Sequence, residues 1–146
     1  MLIELLTATD LTAAAELTLA NMQPYYKKYG LEWDSTTILT MTEGLSNLQI
    51  ILNGEPVGIL RLSFTDEVCQ LRDLQIDSRF QNKGVGKLVL LEVVGIAEKA
   101  AVKFIELKVF KVSPAVRLYT RLGYSVQQQD ERFFYMQYQF NKAASE

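Results

Sequence analysis

The segment Gln81-Asn82-Lys83-Gly84-Val85-Gly86-Lys87 governs how the rest of the chain reads. Before it, an apolar-alternating stretch ends in Leu74-Gln75-Ile76. After it, apolar residues recur at Val85, Leu88, Val89, Leu91, Val93, Ile96, Ala97 and Ala100. The pattern predicts a strand, a polar loop over Asp77–Lys83, and a helix from Gly84 to Ala101 that buries a wide face against a sheet. A helix start leaves backbone N–H groups without partners and carries the positive end of the helix dipole. Gly84 and Gly86 let that backbone approach an anion with no Cβ in the way. Asn82 tolerates positive φ better than most residues, and Lys83 and Lys87 add charge nearby. Such a loop suits phosphate, with an ordinary glycine-containing helix start as the other reading of the same residues.

Two other phosphate loops fit this segment less well. A Walker loop requires Ser or Thr after its lysine, but Leu88 follows Lys87, and Gln81 stands at the first glycine position. A dinucleotide fingerprint requires a third glycine where this chain has Val89, and it opens a parallel βαβ unit rather than following a meander.

Working outward, Ile3–Leu6 reads as a strand. Asp10 or Thr12 caps a helix expected to run to about Met22 and to end before Pro24. The stretch Pro24–Gly30 reads as aromatic and irregular, and Asp34 or Ser35 opens a second helix through about Glu43, stopped at Gly44. Leu48–Leu52 and Val57–Phe64 are strands joined by the hairpin dipeptide Asn53-Gly54. Val68–Ile76 is a third strand, whose apolar phase changes near Arg72-Asp73 and suggests a bulge there. Phe104–Val109 is a strand. Ser113-Pro114 caps a helix that ends at Gly123, and Tyr124–Val126 and Phe133–Phe140 close the chain before a frayed tail from Asn141. The order is βαα, three antiparallel strands, then α, β, α, β, β.

The 146 residues suit a single domain spanning 1–146. A net charge of -2 lacks the basic footprint of a nucleic-acid binder and mildly favours amine-bearing partners. The one cysteine, Cys69, permits no internal disulfide, fits a reducing cytosol and reads as a packing residue. With no histidine, Ser-His-Asp and Cys-His catalysis are excluded and the commonest zinc ligand is missing, so no metal is expected. The N-terminus lacks a basic signal-peptide region, and no apolar stretch is long enough to span a membrane.

With these elements placed, Gln81-x-x-Gly84-x-Gly86 after Leu74-x-Ile76 resembles the [QR]-x-x-G-x-[GA] acetyl-CoA motif of GNAT N-acetyltransferases. Leu107-x-Val109, Ser113-Pro114-Ala115 and Leu118-Tyr119-x-x-x-Gly123-Tyr124 resemble the family's second coenzyme motif. The resemblance covers nearly the whole chain. It implies an α/β (α+β) GNAT fold: a mixed sheet of about seven strands with about four helices, splayed between the fourth and fifth strands. It implies a cytoplasmic enzyme that uses acetyl-CoA as cosubstrate and transfers acetyl to an amine of a small molecule or peptide by direct attack.

The resemblance also assigns roles. The N–H groups of Gln81, Asn82, Lys83, Gly84, Val85, Gly86 and Lys87 would hold the diphosphate. Leu74, Gln75 and Ile76 would pair with the pantetheine arm like an added strand, with a backbone N–H near Leu74 facing the oxyanion. Ser113, Ala115 and Tyr119 would touch the coenzyme. The family commonly has Gly where this chain has Asn82, and left-handed geometry is expected to survive there. It commonly has Asn where this chain has Ser113, whose side chain caps a helix equally well but reaches less far.

An attacking amine must be neutral, and a lysine-like amine has a pKa near about 10.4, so a base or a desolvating site is needed. Tyr119 would protonate the leaving thiolate; packing is the other reading of the same residue. Asp73 is the carboxylate placed best to act as base, with Asp130 and Glu131 behind it and a solvated or Arg72-paired carboxylate as the bland alternative. Tyr25, Tyr26, Tyr29 and Trp33, with Phe133, Phe134 and Tyr135, would line the acceptor pocket or pack the core, and such rings can cradle a cation. The exposed closing strands could pair two copies in a homodimer. A non-catalytic acyl-CoA-binding module and a phosphate-loop nucleotide binder are the competing functions.

Overall fold

The computed structural model describes residues 2–140; the tail from Asn141, expected to fray, lies outside them. Seven strands hydrogen-bond in the order β1-β2-β3-β4-β5-β7-β6. In chain order the elements are β1 (Ile3–Thr7), α1 (Leu11–Lys28), α2 (Ser35–Thr42), β2 (Ser46–Leu52), β3 (Glu55–Phe64), β4 (Val68–Ile76), α3 (Val85–Lys99), β5 (Phe104–Phe110), α4 (Ala115–Arg121), β6 (Ser125–Gln129) and β7 (Phe133–Gln139), with a 3-10 turn at Ser78–Phe80 before α3. The mixed sheet and four helices are those expected. β1 with β2, β2 with β3, β5 with β7 and β6 with β7 pair antiparallel, and β4 with β5 is parallel from Val68↔Phe104 to Leu71↔Leu107 and ends there. The described residues fall into two compact units. One comprises the chain up to Leu62 with Asp73–Val89, and the other comprises Ser63–Arg72 with the chain from Leu90 on.

In the first unit, Asp10 caps α1 by accepting from the Ala13 N–H, and Asp34 caps α2 by accepting from Thr37. Contrary to the expectation, α1 does not stop at Pro24 but continues through it to Lys28. A proline inside a helix removes one N–H donor, and here the surrounding turns persist. The helix ends instead at Gly30 in the left-handed region (φ 67), where Gly30 N–H donates to Lys27 and Leu31 N–H to Tyr26. That is a Schellman cap. Tyr25 and Tyr26 are therefore helical, not irregular. Asn53 and Gly54 both take positive φ in the β2–β3 hairpin, as expected. A register shift falls between Ile50 and Ile51, opposite Pro56–Gly58.

The phase change expected in β4 shows in its backbone hydrogen bonds: the Val68 carbonyl accepts from Thr65 on the β3 side, and the Asp77 N–H also turns to β3, donating to Val57, so the bonding edge switches parity between them. Burial continues at period two through Cys69 and Leu71 to a half-buried Asp73 and a buried Gln75. Polar side chains occupy the inner face there because Arg61, in phase with buried Val57 and Ile59 on β3, meets them.

In the second unit, Ile105, Leu107, Phe110 and Met136 are buried across β5 and β7, and Cys69 is wholly buried. α3 begins in the first unit and ends in the second; Val85, Val89, Leu90, Val93 and Ala97 are buried along it, while Leu91, expected on the apolar face, is exposed. α4 starts one residue later than Ser113-Pro114 predicted. Pro114 takes the cap position in helical geometry, and the Ser113 hydroxyl accepts from Ala115 N–H at 3.1 Å.

Candidate active site

The segment 81–87 lies in the first unit. Asn82 (φ 60) and Gly84 (φ 82) both adopt left-handed geometry, so Asn82 fills the expected role without being glycine. Leu88 N–H donates to the Gly84 carbonyl at 3.3 Å. Among the described residues, the N–H groups of Asn82 through Lys87 donate to no backbone carbonyl. Successive unpaired amides around left-handed residues make an anion-binding concavity. Gly84 faces open space: a Cβ there would meet nothing within 4 Å. Lys87 is exposed, and Lys83 Nζ lies 6.0 Å from the Phe80 ring.

The end of β4 presents backbone groups in alternation. Asp77 N–H donates to Val57 on β3 at 2.8 Å, and Gly58 packs directly against the Gln75 carbonyl. Strand geometry then turns the N–H and C=O of Leu74 and Ile76 to the opposite edge. There the Ile76 carbonyl accepts from Asn21 Nδ2 at 2.8 Å and Gln81 Nε2 at 2.9 Å. Gln81 thus uses its side chain to fasten the strand end to the loop.

Asn21 also donates to Gln75 Oε1 at 3.2 Å, and Gln75 Nε2 donates to Asp73 Oδ1 at 3.1 Å. Asp73 Oδ2 accepts from Arg61 Nη1 at 3.1 Å. Arg61, with no exposed area, also donates to Asn47 Oδ1 and Thr18 Oγ1, each at 2.8 Å. Asp73 is therefore paired with Arg61, not Arg72. Tyr26 belongs to the same cluster: burial, then the Asp73 charge, push its phenol up to about 12. Trp33 meets Tyr26 edge-on at 5.1 Å, and Lys28 Nζ lies 5.9 Å over Tyr29. Tyr25 is half-buried.

The second unit carries Tyr119, Ser113, Ala115, Phe133 and Tyr135. Tyr119 is buried near the end of α4. Phe133 stacks on Phe110 at 4.5 Å, and Lys108 Nζ lies 4.7 Å over its ring, so a cation of the chain itself already occupies one aromatic face. Phe134 likewise carries Lys111 at 5.4 Å. Tyr135 donates its hydroxyl to Asp130 at 2.8 Å. The Phe133 N–H, then the Tyr135 hydroxyl and the Arg132 N–H, hold the Asp130 carboxyl below the usual range. Glu131 is exposed in the same turn.

Arg61, Asn21, Asn47 and Thr18 were not anticipated as parts of the site. The signal for Arg61 was present, since a cation in phase with an apolar strand face must find a buried partner. Asn21 on α1 had no comparable signal, because its partners lie 54 and 55 residues away.

Residues 11–124 match the profile of the acetyltransferase (GNAT) family, and the chain belongs to that family. No curated protein matches it. Among solved structures, the PaiA N-acetyltransferase of Thermoplasma acidophilum in complex with coenzyme A is 20% identical with a TM-score of 0.74, covering 96% of this chain and 100% of that one. The ribosomal-protein-S18-alanine N-acetyltransferase of Escherichia coli is 21% identical with a TM-score of 0.71, covering 94% and 92%. A GNAT family acetyltransferase of Elizabethkingia anophelis with acetyl-CoA bound is 14% identical with a TM-score of 0.63, covering 70% and 82%. Among the described residues no group of three or more His, Cys, Asp or Glu could hold a metal ion, and no helix is long and apolar enough to cross a membrane.

Proposed function

We propose that this acetyltransferase moves the acetyl group of acetyl-CoA directly onto a primary amine, with residues 1–146 acting as one catalytic domain in the cytoplasm. The observation that carries the reading is the loop of unpaired amides from Asn82 to Lys87, set by two left-handed residues at the start of α3. Its concavity suits a diphosphate, and Lys83 and Lys87 add countercharge. Leu74 and the Ile76 N–H turn backbone groups to the edge of β4 away from β3, which suits an extended amide-bearing arm added in strand fashion, while the Ile76 carbonyl is held by Asn21 and Gln81. Gln75 contributes through its side chain, by holding Asp73. Ser113 and Ala115 at the start of α4 are further proposed contacts to the coenzyme.

Bound acetyl-CoA supplies an activated thioester. The Leu74 N–H stabilises the oxygen on which charge develops. Tyr119 gives its proton to the departing sulfur, since a phenol is protonated at neutral pH. Asp73 accepts from the incoming amine, directly or through water. Arg61 and Gln75 take one lone pair on each of its oxygens, and others stay available. In the first unit Tyr25, Tyr26, Tyr29 and Trp33 are the candidate acceptor contacts; in the second they are Phe133 and Tyr135. The acceptor is a small-molecule or peptide amine, as with the ribosomal-protein and nourseothricin acetyltransferases among the structural relatives. All five residues of β6 are exposed, giving an edge through which two copies would pair.

One observation favours a second reading, a module that binds acyl-CoA without turnover: Asp73 is engaged by Arg61 and Asp130 by three donors. Thiol release from acetyl-CoA, measured against a panel of a free-N-terminus peptide, lysine, spermidine and an aminoglycoside, separates the two. Turnover with one of these amines supports the enzyme. Coenzyme binding with no release above the rate in water alone supports the module. Gly84→Val should weaken acetyl-CoA binding in calorimetry in either case, and unchanged affinity would remove the loop assignment.

A further inference from the structure

α4 ends in a Schellman cap. Gly123 (φ 101) donates its N–H to Thr120 at 3.2 Å, and Tyr124 N–H donates to the Tyr119 carbonyl at 3.1 Å. In this motif the residue two beyond the cap commonly packs its side chain on the residue three before it. Here those two residues are tyrosines, with ring centroids 5.6 Å apart and planes at 60°. Tyr138 closes the far side, 5.5 Å from the Tyr124 ring. A Cβ on Gly123 would meet the Tyr138 ring at 3.4 Å, so glycine here serves both the turn and the aromatic packing. Tyr124 is 2% exposed and Tyr119 8%.

The Tyr124 hydroxyl is buried with no hydrogen-bond partner. Leaving such a group unpaired costs about 1–3 kcal/mol, and a phenylalanine would fill the same ring site without that cost. We propose that Tyr124 is a positioning residue whose unpaired hydroxyl donates a hydrogen bond to the Tyr119 oxygen when that oxygen becomes negative during acetyl transfer. The proposal rests on the reading of Tyr119 as the acid.

The proton count closes. As the thioester C–S bond breaks, its electron pair moves to sulfur. The Tyr119 O–H bond breaks, an S–H bond forms, and the pair left on the Tyr119 oxygen is the charge that Tyr124 meets. Tyr119 recovers, through solvent, the proton that the attacking nitrogen gives up to Asp73 as the amide forms, and Tyr124 keeps its own throughout. Burial, and then the charge of an ionised Tyr119, raise the Tyr124 phenol far above the tyrosine range, which keeps it a donor. Such a bond exists in the transition state and not in the ground state, and for that reason it accelerates the reaction.

The test is Tyr124→Phe, Tyr119→Phe and the double variant, assayed by thiol release with the best amine of the panel above, or by acetyl-CoA hydrolysis if water is the only acceptor. The expected result for Tyr124→Phe is a fall in kcat of about tenfold or more, the worth of one hydrogen bond to a charged group, with KM for acetyl-CoA unchanged and a melting temperature equal to or above that of the parent. The double variant should be no slower than Tyr119→Phe alone, because Tyr124 acts only through the Tyr119 oxygen. Unchanged kcat in Tyr124→Phe while Tyr119→Phe is slow, or multiplied losses in the double variant, overturns the proposal and leaves the acid in place. Unchanged kcat in Tyr119→Phe overturns both.

Discussion

Arg61 and Asp73 form an ion pair of unequal exposure: the guanidinium side chain has no exposed area, the carboxylate side chain is 21% exposed, and 3.1 Å separates them. The cation therefore depends on this carboxylate for compensation, together with the oxygens of Asn47 and Thr18. Removing one member of such a pair costs about 3–5 kcal/mol. Asp73→Ala should lower stability by that amount in urea unfolding, so a loss of activity in this variant must be read beside its folded fraction. A loss below about 1 kcal/mol, the range of surface pairs, would show that Arg61 finds its compensation elsewhere.

Gly58 on β3 lies directly against the backbone of β4. A Cβ there would overlap the Gln75 carbonyl oxygen and reach 3.2 Å from Ile76 Cα, both backbone neighbours that cannot rotate away. Gly58→Ala should destabilise the protein by about 1–3 kcal/mol, the usual cost of overpacking. It should also weaken acetyl-CoA binding, because the segment it displaces ends in Leu74 and Ile76. An unaltered melting temperature would contradict the close approach.

Asn82 holds φ 60 without being glycine. Left-handed geometry costs an ordinary L-residue about 1–2 kcal/mol, and β-branched residues suffer most. Asn82→Gly should leave acetyl-CoA affinity within about twofold of the parent, and Asn82→Val should reduce it about tenfold. Equal affinities for the two variants in calorimetry would mean that the loop does not use this conformation to bind.

Cys69 is wholly buried, and burial pushes its thiol up to about 11. The thiolate is the reactive form, so an aromatic disulfide reagent at pH 8 should leave the native protein unlabelled and modify one thiol per chain after unfolding in guanidinium. Fast native labelling would place Cys69 at an accessible site. A silent cysteine also means that thiol release from acetyl-CoA can be followed with the same reagent.

Tyr26 gives a pH dependence with a defined sign. Its phenol stands at about 12 in the folded chain, against 10.0 for the ordinary group. Below pH 10 both states keep the proton. Between pH 10 and 12 the unfolded chain loses it first, so the native state binds more protons and stability falls as pH rises. Tyr26→Phe should flatten part of that fall in unfolding measured from pH 9.5 to 11.5. Parallel curves for the two proteins would mean that Tyr26 ionises as freely folded as unfolded.

The elements that could be read from the sequence were those with local causes. The Asn53-Gly54 hairpin, the Asp10 and Asp34 caps and the glycine stop after α4 each follow from one or two residues and their permitted dihedrals. What stayed hidden was set at a distance. Pro24 looked like a stop because local chemistry says so, and the turns around it hold nonetheless. The apolar pattern of β4 is interrupted by Asp73 and Gln75, whose inward position makes sense only once Arg61 is seen opposite. The proposed acid and the proposed phosphate loop were legible as motifs. The Tyr119–Tyr124 pairing was legible only as a helix ending, with no hint that a hydroxyl would be stranded inside it.

The doubly capped Ile76 carbonyl also bears on solubility. A strand margin lacking a neighbour invites the margin of another molecule, the usual route to sheet-to-sheet sticking. Beyond Leu71 the ladder with β5 has ended, and the amides of Asn21 and Gln81 occupy the last outward acceptor. The stretch left for recruitment is then shorter than a full strand: long enough for one slender guest, too short to nucleate a fibril. Removing both amides, as in an Asn21→Ala/Gln81→Ala chain, would lengthen that template, and turbidity on storage would reveal it.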